Sequence, residues 1–211
     1  MMMTAASEGG CGHLFDALPV EDPAAQSRLH TRLVADAERE GLLDVAYRTL
    51  ETPVGPLLLA ATQEGLVRVA YDTVDHGGHE AVLDDLAARI SPRVLEAPER
   101  LAPAARQIEE YFEGRRTGFD LVLDLRLSKG FRREVITRLS SIAYGGTASY
   151  ARVAAAAGSP GAVRAVGSAC ATNPLPVVIP CHRVVRSDGS AGGYVGGAAA
   201  KRALLRLEAA A

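Results

Sequence analysis

The 211-residue chain has no tryptophan, three cysteines and an aromatic content of only 5%. Three cysteines are too few for a disulfide framework in a chain of this size, which favours a reducing, cytoplasmic setting. No apolar run approaches the roughly 18–20 residues needed to cross a bilayer, so no membrane partner is expected. The opening Met1-Met2-Met3-Thr4-Ala5-Ala6-Ser7 lacks a basic stretch followed by an apolar one and does not read as a secretory signal. No glycine-rich nucleotide fingerprint or other cofactor motif is present. Cys11-Gly12-His13, His30, His76 and His79 could be gathered into a metal site, but no C-x-x-C spacing accompanies them. Neither a metal nor a cofactor is expected.

What is there is ordinary for a globular chain, 48% apolar and 23% charged, which excludes global disorder. Residues 1–22 have no period and read as a mobile lead-in, within an extension of unknown role covering residues 1–44. Leu29, Leu33, Val34, Ala37 and Leu42–Leu43 recur at helical spacing and predict a helix from Pro23 to about Ala46. Leu50–Pro56, Leu57–Thr62 and Leu66–Tyr71 read as strands separated by turns at Pro53–Pro56 and Gln63–Gly65. Helices over 79–90 and 103–112 and a strand over 119–125 complete a first domain, residues 45–126. Beyond Ser128-Lys129-Gly130 the pattern turns helical over 131–141, 150–157 and 162–171, and 198–209 forms a terminal helix. Gly158-Ser159-Pro160-Gly161 breaks the middle pair into a helix-turn-helix, with 162–171 as its groove-reading member. The fold class is therefore α+β: a small mixed sheet-and-helix domain, then a mainly helical domain over 130–209.

The chemistry sits in Asn173-Pro-Leu-Pro-Val-Val-Ile-Pro-Cys-His-Arg-Val-Val185. Val177–Ile179 reads as a short strand ended by Pro180, which cannot donate to a ladder, so Cys181 is expected at a strand end. Flanking His182 and Arg183 make an electropositive setting that favours the thiolate. An isolated Cys–His pair is nevertheless more often a structural cysteine with a chance neighbour. The local signatures of papain-like and caspase-like proteases are absent around Cys181.

Pro180-Cys-His-Arg183, preceded by Asn173-Pro174 and followed by Gly192-Gly-Tyr-Val-Gly-Gly197, resembles the O6-alkylguanine-DNA alkyltransferases, or methylated-DNA–protein-cysteine methyltransferases. Tyr144-Gly145, Ser149-Tyr150, Arg164-Ala-Val-Gly167, Lys201, Leu204–Leu205 and Glu208 extend the match over 130–209, and Thr52-Pro-Val-Gly-Pro-Leu57 resembles the family's opening hairpin. The resemblance implies a single displacement in which Cys181 takes the alkyl group from guanine O6, with O4-alkylthymine a second candidate substrate. His182 then matches the histidine that deprotonates the thiol through a water, and Glu208 the carboxylate that orients that imidazole. Asn173 matches the asparagine that braces the cysteine segment. The product is a thioether with no easy leaving group, so each molecule acts once.

Reaching O6 in a duplex requires flipping the nucleotide out of the stack. On the resemblance, Arg164 enters the vacated space, Tyr150 helps turn the flipped nucleotide, and backbone groups near Val184 and Val195 meet the base edge. Tyr194, in the covering loop, and Arg183 complete the expected DNA- and base-contacting set. The implied partner is double-stranded DNA carrying O6-alkylguanine, met by a monomer. A base-flipping damage sensor that does not transfer the alkyl group, and a redox or hydrolytic thiol enzyme, are the competing readings. Ala143-Tyr-Gly-Gly-Thr147 and Phe131-Arg-Arg-Glu-Val-Ile136 depart from the family's usual Pro-Tyr-Gly-Glu-Thr and Phe-Gln…Val-Trp, behind the helix-turn-helix. The net charge of −2 conceals a split: residues 1–125 hold 11 Lys and Arg against 22 Asp and Glu, residues 126–211 hold 12 against 3. The basic half is the one expected to meet phosphates, with salt-sensitive binding.

Overall fold

The computed structural model describes residues 22–72 and 77–209. Cys11, His13, His76 and the lead-in over 1–21 lie outside the described residues. The chain divides into two units, residues 1–40 and 41–211. In the first, α1 (Pro23–Arg39) starts where Asp22 accepts a hydrogen bond from the Ala24 amide at 2.9 Å and Pro23 takes the first helical position. It ends at Arg39, seven residues before the expected Ala46. Gly41, at φ 65°, turns the chain, and the Val45 amide is already donating to Arg93 O at 3.1 Å.

The second unit opens with β1 (Val45–Leu50), β2 (Leu57–Thr62) and β3 (Gly65–Tyr71). Then come α2 (Gly78–Arg89), β4 (Val94–Glu96), and a 3₁₀ turn at Pro98–Leu101 leading into α3 (Ala102–Phe112). The strand order is β3-β2-β1-β4, antiparallel except for the β1–β4 pair. β2 is buried along its whole length, as its unbroken Leu-Leu-Leu-Ala-Ala-Thr run demands. Val45, Leu58, Ala60 and Val67 of the sheet pack with Val82 and Leu86 of α2 and with Leu127. β4 is too short and too exposed to leave a pattern in the sequence.

The strand expected over 119–125 is reduced to one bridge, Leu66 with Leu123. On either side side chains hold the backbone instead: Gln107 accepts from the Asp120 amide at 2.8 Å, and Asp124 from the Arg126 amide at 3.1 Å. That segment still locks onto β3, because a Cβ on Gly65 would lie 2.4 Å from Val122 O.

The C-terminal part comprises α4 (Gly130–Leu139), β5 (Ala148–Ser149), α5 (Tyr150–Ala156), α6 (Val163–Ala171), β6 (Val184–Val185) and α7 (Gly197–Ala209). Ser149 caps α5 by accepting from the Arg152 amide at 3.2 Å. α4, α5 and α6 pack on one another through Val135, Ile136, Leu139, Val153, Val166 and Cys170, all buried. Ile136, at the departing position in α4, is fully buried. β5 and β6 pair in parallel, joining the entrance of α5 to the exit of the Cys181 segment. The Val69 amide of β3 donates to Pro174 O at 2.8 Å, fastening that segment to the sheet.

Gly65→Ala is expected to lower stability by about 2 kcal/mol or more, since the methyl meets a backbone carbonyl that cannot swing aside. Urea unfolding followed by circular dichroism measures it.

Candidate active site

Val177–Ile179 is not a strand. Asn173–Pro180 folds into tight turns, with Ile179 N donating to Leu175 O at 2.7 Å and Cys181 N to Ile179 O at 2.8 Å. Pro174 and Pro176 deny the run two ladder donors, and Val177 sits at φ 72°, a conformation unfavourable for a β-branched residue. The Asn173 side chain holds this turn from inside: Oδ1 accepts from Leu175 N at 3.0 Å, and Nδ2 donates to Ile179 O at 2.9 Å. The same Nδ2 lies 3.2 Å from Cys181 Sγ. Cys181 therefore begins a 3₁₀ turn, Cys181–Arg183, rather than ending a strand.

The thiol is 2% exposed. Burial pushes it up to about 11, against a smaller downward pull from Asn173 and Lys201, so it rests protonated. The electropositive setting read from the sequence does not hold, because the Arg183 guanidinium is committed elsewhere. Arg183 Nη2 donates to Glu208 Oε1 at 2.8 Å, Nε to Oε2 at 2.9 Å, and Nη1 to Ile142 O at 2.6 Å.

Glu208 is the hub of the site. Besides Arg183, its Oε1 accepts from Tyr111 Oη at 2.7 Å and lies 2.8 Å from His182 Nε2; its Oε2 accepts from the Gly145 amide at 3.2 Å. Burial alone would raise its pKa, but the hydrogen bonds from His182, Arg183 and Tyr111 outweigh that and hold the carboxyl down at about 2. An anionic acceptor at Nε2 fixes the neutral imidazole as the Nε2–H tautomer. Nδ1 is buried and has no hydrogen-bond partner among the described residues. Burial also lowers the His182 pKa, against the opposing pull of Glu208, so the ring is a neutral base at pH 7.

The expected base-contacting residues divide. Tyr150 Oη lies where a Cβ on Gly192 would come within 2.4 Å, so the glycine is what lets the loop over 192–197 approach the start of α5. Tyr194 packs edge-on against His182 with centroids 6.2 Å apart, and its hydroxyl shares a 3.0 Å hydrogen bond with Tyr71 Oη of β3. Gly196 meets the Tyr71 ring equally closely. Val184 O accepts from Lys201 Nζ at 2.6 Å, and Lys201 is fully buried. Arg164 stands exposed on α6, its guanidinium without a hydrogen-bond partner among the described residues, whereas Arg183 is buried. Among the described residues, no group of three or more His, Cys, Asp or Glu side chains could hold a metal.

Sequence reasoning did not single out Tyr111 or Tyr71 and gave Lys201 no role. Tyr111 sits on the buried face of α3, where helical spacing marks a core aromatic; nothing in the sequence announces that its hydroxyl reaches a carboxylate 97 residues on.

A buried thiol, followed in the chain by an imidazole bonded to a carboxylate, in a part of the chain that also carries a helix-turn-helix, fits the class of cysteine transferases that work on nucleic acid. The comparisons give the family. Residues 45–125 match the 6-O-methylguanine DNA methyltransferase, ribonuclease-like domain, and residues 130–210 match the DNA binding domain of the same protein type. The chain belongs to the 6-O-methylguanine DNA methyltransferase family. Among its relatives, the methylated-DNA–protein-cysteine methyltransferase of Mycobacterium tuberculosis is 39% identical over 172 residues, covering 78% of this chain and 92% of that protein. The constitutive enzyme of Bacillus subtilis is 36% identical over 159 residues, covering 75% and 92%. The crystal structure of the M. tuberculosis O6-methylguanine methyltransferase superposes with a TM-score of 0.67 at 38% identity, over 79% of this chain and 93% of that one. M. tuberculosis OGT in complex with DNA also gives 0.67 at 38% identity, over 78% and 93%.

Glu208→Gln is expected to cost about 3 kcal/mol or more, because it leaves the Arg183 guanidinium buried without its counter-charge, and to slow alkyl transfer at least about 100-fold. Tyr111→Phe costs about 1–2 kcal/mol. It also returns basicity to Glu208 and thence to His182, so the acid limb of the rate profile moves to higher pH. Denaturant unfolding and single-turnover kinetics across pH read both variants.

Proposed function

We propose that this protein repairs O6-alkylguanine in double-stranded DNA by moving the alkyl group onto Cys181, once per molecule. The observation that carries the reading is a neutral, buried thiol beside an imidazole whose Nε2 is committed to Glu208 and whose Nδ1 is uncommitted. Such a thiol needs a base at the moment of reaction, and His182 is the neutral one at hand. His182 Nδ1 takes the thiol proton through a water, and Glu208 stabilises the imidazolium that forms. The sulfur attacks the alkyl carbon, the S–C bond forms as the C–O6 bond breaks, and the electron pair passes to O6. The base leaves as an anion delocalised over O6 and N1; water protonates N1 to restore the lactam, and the proton held by His182 returns to water, so charge and protons balance. The thioether remains, with nothing to hydrolyse it.

The exposed face of α6 supports the DNA side of this reading. Arg164 is free to enter a base stack, where a guanidinium plane stacks and donates. Tyr150 and the loop over 192–197, interlocked through Gly192, form the surface offered to the flipped nucleotide. Every member of the thiol, imidazole and carboxylate relay comes from one chain, so a monomer suffices. A reducing compartment suits a protein whose Cys170 and Cys181 are both free thiols, since oxidation of Cys181 would consume the nucleophile. The sensor reading lacks support here, because the thiol, the base and the carboxylate are all in place.

Incubation with a duplex carrying O6-methylguanine, followed by mass analysis of tryptic peptides, is expected to place one methyl group on the Cys181 peptide, at most one per chain. Multiple turnovers would sink the one-shot mechanism, and tight binding without transfer would favour the sensor. Cys181→Ala is expected to retain duplex binding. Because His182 titrates below its ordinary 6.5, the transfer rate should be flat between about pH 7 and 9 and fall only at lower pH. A rate rising in proportion to hydroxide over that range would mean a pre-ionised thiol and no histidine base. Arg164→Ala should slow transfer from the duplex about tenfold or more while sparing transfer from the free O6-methylguanine base, which needs no flipping.

A further inference from the structure

A cavity of about 380 Å³ lies between β3, α2 and the Ala171–Pro174 segment. Its charge is unbalanced: Arg68, Arg89 and Arg132 line it against one carboxylate, Asp85. Asp85 is already taken by Arg89, whose Nη1 donates to it at 3.1 Å while Nη2 donates to Leu127 O at 3.2 Å. The guanidiniums of Arg68 and Arg132 have no hydrogen-bond partner among the described residues, and Arg68 Nε is wholly shielded from solvent. A guanidinium half-buried on the edge strand β3, beside a second guanidinium that already holds the one carboxylate nearby, is a costly arrangement. Burial lowers the Arg68 pKa; the Asp85 charge pulls the other way without offsetting the burial, and Arg89 adds a smaller downward push. No acceptor within the described chain meets these donors, and Thr172 adds a hydroxyl to the same wall.

We propose that this cavity is an oxyanion site for a phosphate group, held between the guanidiniums of Arg68 and Arg132 with Arg89 behind them. Guanidiniums in a recess match phosphate oxygens by paired, charge-assisted hydrogen bonds, and the volume accommodates a phosphate with part of its ester. Asn173 also lines the cavity, so the occupant would sit against the segment that carries Cys181. The phosphate could belong to the DNA backbone or to free phosphate or a nucleotide; both present the same oxyanion. The site is independent of the alkyl-transfer reading, since neither Arg68 nor Arg132 belongs to the thiol relay.

Isothermal calorimetry with inorganic phosphate and with dGMP, at constant ionic strength in chloride, tests it on the full chain. Arg132 is exposed, so Arg132→Gln probes the cavity without disturbing the core. Arg68→Gln probes the buried donor, and Arg202→Gln, an exposed arginine outside the cavity, carries the same loss of charge. Phosphate binding that the two cavity variants weaken about tenfold or more, and Arg202→Gln does not, supports a site for free phosphate. An undamaged duplex of about 20 base pairs is then titrated across salt concentrations: a salt slope reduced by about one in each cavity variant supports a backbone phosphate. If neither phosphate nor duplex binding responds to Arg68→Gln and Arg132→Gln, the proposal is overturned.

Discussion

One buried carboxylate holds the site together. Glu208, 3% exposed near the end of α7, collects donors from Tyr111 on α3, His182 and Arg183 on the cysteine turn, and Gly145 in the loop before β5. A carboxylate so far from water is tolerable only when every oxygen is supplied with donors and a cation lies alongside, and Arg183 is that cation. The arrangement is therefore close to all-or-none. α7 cannot leave its place without stranding Arg183, and the turn carrying His182 cannot rotate without stranding Glu208. Four distant stretches of sequence are fixed by this one group.

The same burial decides how the thiol works. In a wet site, a cysteine followed at once by a histidine and an arginine would be drawn toward the thiolate. Here the arginine's charge is cancelled by Glu208 and the thiol sits out of water, so it stays neutral with a pKa near 11. A neutral thiol resists adventitious oxidation and wandering electrophiles, which attack thiolates. That matters more for this protein than for a turnover enzyme, because a wasted thiol is a wasted molecule. On the proposed mechanism deprotonation is arranged at the moment of reaction, and the Nε2–H tautomer imposed by Glu208 leaves Nδ1 open to accept the proton.

Much of this was legible in the sequence where chemistry and local order coincide. The hairpin of β2 and β3, the helix-turn-helix and the Cys181–His182–Glu208 trio follow from turn residues, period and motif. What escaped was set by tertiary competition. Val177-Val-Ile179 has every local mark of a strand, yet flanking prolines and the Asn173 side chain give its backbone other partners, and Val177 is driven to a positive φ. The 119–125 segment alternates like a strand, but the side chains of Gln107 and Asp124 bind the backbone at Asp120 and Arg126 and leave one bridge. Arg183 falls among the expected DNA contacts when the motif alone is read. Only the coordinates show its guanidinium turned inward, and only they bring Tyr111 to Glu208 across 97 residues.

The inward turn of Arg183 also tests the reasoning from charge. Residues 126–211 carry a formal +9, from 12 Lys and Arg against 3 Asp and Glu. Burying Arg183 with Glu208 removes one charge of each sign and leaves that figure unchanged; only Lys201, buried on Val184 O, is lost from the surface. The cations that remain, Arg164 among them, are on the outside. The basic half can therefore commit an arginine to its buried carboxylate without weakening the positive field that the remaining cations offer a phosphate backbone. The buried carboxylate site and the surface field draw on separate cations of the same small domain, so a net charge of −2 for the whole chain does not count against a DNA partner.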